Sequence, residues 1–170
     1  MWTIESRYQE EDFYQKLEKE LVSLVSGEKN LIANLANISS WLYHSIPDLN
    51  WCGFYLWDES DQELVLGPFQ GKPACIRIKS GKGVCGKAFA ENSTLRIDDV
   101  DAFPGHIACD SASRSELVIP LLNNLGVLDL DSPSLNRFRV RDAENLTRIM
   151  QLLLPQSSPP VQASSLYLRP

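Results

Sequence analysis

Three of the four cysteines in this 170-residue chain stand between Gly67 and Asp131, together with one of its two histidines. Cys75 lies in KPAC, Cys85 in GKGVCG and Cys109 in GHIACD, with His106 just ahead of Cys109; Glu116, Asp129 and Asp131 follow close behind. Thiols supply a nucleophile or a redox pair, and carboxylates and an imidazole can move protons. Set among glycine-rich turns, these residues read as reactive groups on display and not as a packing pattern.

Cys109 is the first candidate nucleophile. It sits in AFPGHIACDSAS, an irregular segment of the kind that often carries functional side chains. A thiol becomes reactive when a nearby cation or imidazolium stabilises its thiolate, and His106 and Arg114 are the local candidates. Against this stands the ordinary use of free cysteine as a small buried hydrophobe. Cys75 and Cys85 flank a glycine-rich turn, and Cys52 lies within an aromatic run and reads as core. No C-x2-C pair is present, so a structural zinc site is not expected, and His106 with Cys109 is a weak metal signal. GKGVCG fits neither a phosphate loop nor a dinucleotide fingerprint, so no cofactor is expected.

The carboxylates gain meaning from a hairpin. If Asn123-Asn124 forms a two-residue turn between strands at Ser115–Leu122 and Leu125–Leu130, residue 120 pairs with 127, 118 with 129 and 116 with 131. Glu116, Asp129 and Asp131 then project from one face, with Glu116 opposite Asp131. Directly opposed like charges are unfavourable, so such a cluster suits an ammonium ligand or a carboxyl held protonated. A solvated acidic hairpin end is the plain alternative.

Elements that could position these groups follow from periodicity. Apolar residues at helical spacing predict helices over about Ile4–Val25, Glu28–Ser45 and Val140–Leu153. WCGFYLWD reads as a buried strand, followed by strands at Glu63–Phe69, Cys75–Ile78 and Thr94–Ile97, with a short helix over Val84–Glu91. The expected fold class is α+β, with about six antiparallel strands covered by helices. Residues 1–154 read as one domain and 155–170 as a Pro/Ser-rich tail that stays disordered.

With 44% hydrophobic and 22% charged residues the composition is that of a globular protein. A net charge of −6 speaks against nucleic acid or an anionic membrane as partner. No run of apolar residues suffices to span a bilayer and no secretory leader is evident, so a cytoplasmic location is expected.

The stretches LGPFQGKPACIRIKSGKGVCG, DDVDAFPGHIACDSASRSELVIP and GVLDLDSP closely resemble the free methionine-(R)-sulfoxide reductases, which are built on a GAF domain. The likeness covers roughly Trp51 to Asp142, including the spacing of Cys75, Cys85 and Cys109. It implies a GAF-like fold that often pairs into homodimers, and reduction of free methionine-(R)-sulfoxide to methionine. Cys109 would attack the sulfoxide sulfur and become a sulfenic acid. Cys75 would resolve it as a disulfide that thioredoxin reduces, and Cys85 would be a second or substitute partner. Glu116, Asp129 and Asp131 match the family's acidic pocket, with Glu116 or Asp131 as proton donor. Trp51 and Tyr55 match aromatics around the substrate's methyl and sulfur. The stretch between Glu116 and Asp129 is shorter than the family pattern, which puts the hairpin register in question. The competing class is a non-catalytic GAF module that senses a small molecule or redox state.

Overall fold

Alternation of side chains along the strands sorts this domain into two faces, and the helices divide unequally between them. The structure, a computed structural model, describes residues 8–105 and 111–154. Six strands, β1 (Trp51–Asp58), β2 (Glu63–Gly71), β3 (Arg77–Lys79), β4 (Leu95–Ile97), β5 (Ser115–Pro120) and β6 (Gly126–Ser132), form one sheet in the order β3-β2-β1-β6-β5-β4. Every neighbouring pair is antiparallel.

Cys52, Phe54, Leu56, Leu117, Ile119, Leu128 and Leu130 point to one face and are buried in a core with α1 (Phe13–Val25), α2 (Leu31–Ser45) and α4 (Val140–Leu153). Trp51, Tyr55, Val118 and Val127 point the other way, under α3 (Gly83–Glu91), which contributes Val84, Cys85 and Ala88. Cys52 is therefore a core residue on the far side of the sheet from the other site candidates, as its aromatic surroundings predict.

The helices begin where capping and tertiary anchors allow. Asn30 caps α2 through its side chain, which accepts from the N–H of Ala33 at 3.0 Å. The first helix is shorter than its periodicity predicts, because the residues before Phe13 turn toward α4. There the Tyr8 and Tyr14 hydroxyls donate to Asp142 Oδ1 at 2.8 and 2.7 Å, and the Arg137 guanidinium lies 3.4 Å from Oδ2. Asp142 also accepts from the N–H of Arg139 at 2.8 Å, so one buried carboxylate caps α4 and anchors the N-terminal segment.

The hairpin holds the expected register: Pro120 pairs with Val127, Val118 with Asp129 and Glu116 with Asp131. Asn123 and Asn124 both have positive φ, 58° and 54°, and the N–H of Leu125 donates to the carbonyl of Leu122 at 3.2 Å. Positive φ at both central positions is the type I′ geometry that matches strand twist, and Asn tolerates it well. The shortened loop thus leaves the acidic face intact. The third strand starts later than expected: β3 begins at Arg77, and Cys75 lies before it, its carbonyl accepting from the Tyr55 hydroxyl.

Candidate active site

On the α3 face, β5 and β6 bring three carboxylates together. Glu116 sits opposite Asp131, and Asp129 lies between Val118 on β5 and Gly53 on β1. Glu116 and Asp129 are only 5% and 6% exposed. Burial, then the charges of Asp129 and Asp131, drive the Glu116 carboxyl well above the usual carboxylate range. Burial also pushes Asp129 up to about 7. Asp129 Oδ1 is buried and has no hydrogen-bond donor among the described residues, an acceptor suited to a cationic donor brought by a ligand.

The first turn of α3 lowers Cys85 onto this cluster. Its Sγ donates to Glu116 Oε1 at 3.8 Å, and one ligand atom each from Cys85, Glu116 and Asp129 lies within 4.8 Å of the others. Burial and the two carboxylates push the Cys85 thiol well above its ordinary value, so it stays protonated. A buried thiol beside acids is a hydrogen-bond donor, not a ready nucleophile.

Three aromatic rings wall the same face. Trp51 stacks on Tyr55 with centroids 5.8 Å apart and on Phe69 at 5.3 Å. Phe69 was not legible as a site residue. Its signal was Gly53 in the centre of an aromatic strand: a Cβ there would collide with Phe69 Cβ and lie 2.7 Å from the Trp51 ring. The two polar tips turn to the segment ahead of β3. Trp51 Nε1 donates to the carbonyl of Lys72 at 3.1 Å, and the Tyr55 hydroxyl to that of Cys75 at 3.1 Å. Trp51 and Tyr55 therefore do two things, presenting ring faces and fixing the strip that carries Cys75.

Cys75 is disulfide-bonded, whereas Cys52 and Cys85 carry free thiols. Cys109 and His106 lie outside the described residues. The structure thus brings together Cys85, Glu116, Asp129, Asp131, Trp51 and Tyr55, with Cys75 tied to their edge by Tyr55.

The GAF domain profile matches residues 31–153. The chain is 49% identical to the free methionine-R-sulfoxide reductase of Escherichia coli (strain K12), over 84% of this chain and 87% of that protein. It is 54% identical to protein YtsP of Bacillus subtilis (strain 168), over 82% of this chain and 88% of that one. The solved structure of free methionine-R-sulfoxide reductase from Neisseria meningitidis in complex with its substrate superposes with a TM-score of 0.84 at 42% identity, covering 90% of this chain and 93% of that one. The chain belongs to the GAF-domain family of free methionine-R-sulfoxide reductases. Among the described residues no helix is long and apolar enough to cross a membrane.

Proposed function

We propose that this chain reduces free L-methionine-(R)-sulfoxide to L-methionine, with Cys109 as nucleophile and Cys75 as resolving thiol. The observation that carries the reading is the Glu116 carboxyl, buried against Asp129 and Asp131 and so held neutral, beneath an aromatic wall. A sulfoxide sulfur is a poor electrophile until its oxygen is protonated, and a neutral buried carboxyl is the proton source for that step. Between the two donor candidates, Glu116 is the better supported, because burial and both neighbouring carboxylates hold its proton.

The Cys109 thiolate attacks sulfur, oxygen passes to the cysteine with a proton from Glu116, and methionine leaves beside a sulfenic acid. The Cys75 thiol then displaces water and a disulfide forms. The disulfide at Cys75 and the free, protonated thiol of Cys85 support Cys75 over Cys85 as the resolving partner. Thioredoxin returns two electrons and two protons. Asp129, whose Oδ1 is an unmet buried acceptor, and Asp131 receive the substrate's ammonium group, which selects a free amino acid over a residue in a peptide. The aromatic rings of Trp51, Phe69 and Tyr55 face the methyl and sulfur. Pairing of two copies, carried over from the family resemblance, completes the reading, together with a cytoplasmic location and a single domain ending near residue 154, both carried over from the sequence pattern.

Reduced protein mixed with excess methionine-(R)-sulfoxide and no reductant should form about one methionine per chain and lose two thiols, then stop. In Cys109→Ser the burst should vanish with the fold intact. In Cys75→Ser the first methionine should still form while thioredoxin-driven turnover falls. A module that only senses methionine derivatives would make no methionine and lose no thiols, and that outcome would retire the enzyme reading.

A further inference from the structure

We propose that the strip 72–77 is the docking surface of a dithiol reductase, which seats on Ile76 and attacks the sulfur of Cys75; this rests on the reductase cycle above. Ile76 is 69% exposed, more than any other large apolar side chain exposed among the described residues. A single exposed isoleucine is ordinary on a protein surface. This one is the residue next to a disulfide-bonded cysteine, where a reductase must make contact.

The strip is also fixed in place from inside. The carbonyls of Lys72, Cys75 and Ile76 each accept a hydrogen bond from the domain, from Trp51 Nε1 at 3.1 Å, the Tyr55 hydroxyl at 3.1 Å and the N–H of Leu66 at 2.9 Å. Pro73 removes further freedom. Ile76 is thus held outward on a pre-ordered segment, and a partner that covers it gives up little conformational entropy. The strip runs into β3, which among the described residues is an edge of the sheet.

Charge selects the partner. Lys72, Arg77, Lys79, Lys82 and Lys87 fall in sixteen residues without an acid, within a chain of net charge −6. Arg77 is held by Asp61 at 2.8 Å and lies 3.7 Å from Glu63, and Lys87 lies 4.0 Å from Glu91, so Lys79 and Lys82 carry most of the field. That local basic rim fits a reductase with an acidic surface around its dithiol and speeds its approach at low salt. In the step itself a reductase thiolate attacks Cys75 Sγ and the S–S bond breaks. The departing cysteine leaves as a thiolate and takes up a proton. The second reductase thiol, deprotonated, attacks the mixed disulfide and releases Cys75 as a thiolate, which is protonated in turn. Two electrons pass from the dithiol to the chain.

The test uses the full chain with its disulfide preformed and thioredoxin as probe, and follows thiol release directly, without methionine sulfoxide. Ile76→Glu should raise the KM for thioredoxin about tenfold, the loss of one well-packed contact, while Ile76→Leu stays near the parent. Reduction by dithiothreitol, melting temperature and the single-turnover methionine burst should be unchanged in both. Thioredoxin lacking its second cysteine should be trapped in a mixed disulfide with Cys75. An unchanged thioredoxin KM in Ile76→Glu, or trapping on a different cysteine, overturns the docking proposal. Absence of the methionine burst in the parent chain instead overturns the reductase reading, and the two failures are read in separate assays.

Discussion

Glu116 and Asp131 face each other directly across the β5–β6 ladder, two acidic side chains where a sheet built for stability alone would place complementary ones. The hairpin tolerates the pair because Glu116, buried beside Asp129 as well, keeps its proton. The strain of placing three acids together is what prepares one of them to act as an acid.

Replacing Glu116 by Gln should therefore lower kcat for methionine-(R)-sulfoxide by roughly 10²–10⁴-fold, the range expected for losing a general acid. Asp131→Asn should act mainly on KM, since its part is to receive the ammonium group. Steady-state kinetics of both variants separates the roles. Unchanged parameters in both would make the cluster a structural feature with no part in the reaction.

Asp129 makes stability depend on pH in an unusual direction. In the unfolded chain it ionises near 3.8, whereas in the fold it holds its proton up to about 7. Between those values the folded state binds more protons than the unfolded one, so this residue's contribution is full below the lower value and is lost as pH rises through the upper. Glu116 shifts the same way. Melting temperature should accordingly rise as pH falls from about 8 to about 5. Asp129→Asn should flatten that slope and raise the melting temperature at the alkaline end. A parent slope equal to that of the variant would show that Asp129 titrates normally.

Gly126 opens β6 at φ 144°, pressed against β1, so that a Cβ would collide with the Tyr55 carbonyl oxygen and lie 2.9 Å from Leu56 Cα. Gly126→Ala should cost roughly 3 kcal/mol, from overpacking together with backbone strain, a fall of roughly 6–12 °C for a domain of this size. Gly81→Ala is the control: its φ is 79° but nothing lies within 4 Å of the added carbon, so only the conformational cost of about 1 kcal/mol should appear. Thermal melts of the two variants side by side check the difference.

Residues 155–170 combine prolines and serines with few apolar side chains. Ending the chain after Leu154, which is itself buried against the core, should leave turnover and melting temperature within error of the parent. A fall of several degrees on truncation would show that the tail packs on the domain.

The sequence by itself determined what short-range physics controls. Asn123-Asn124 specified the tight turn, the turn set the pairing of residue 116 with 131 and 118 with 129, and the period of two put the acids on one face. Amphipathic spacing likewise marked α4 from Val140 to Leu153. Tertiary structure alone decided the rest. Whether α3 would lower Cys85 to 3.8 Å from Glu116 depends on how a helix seats on a sheet, and no local pattern encodes a contact across 31 residues. Trp51 and Tyr55 were legible as aromatics, but not their bonds to the carbonyls of Lys72 and Cys75. The family resemblance implied a disulfide at Cys75, but spacing by itself could not show that Cys85 would stay a free, protonated thiol. Spacing places cysteines along a chain, and only the packed fold sets each thiol's burial, its charged neighbours and the sulfur within its reach.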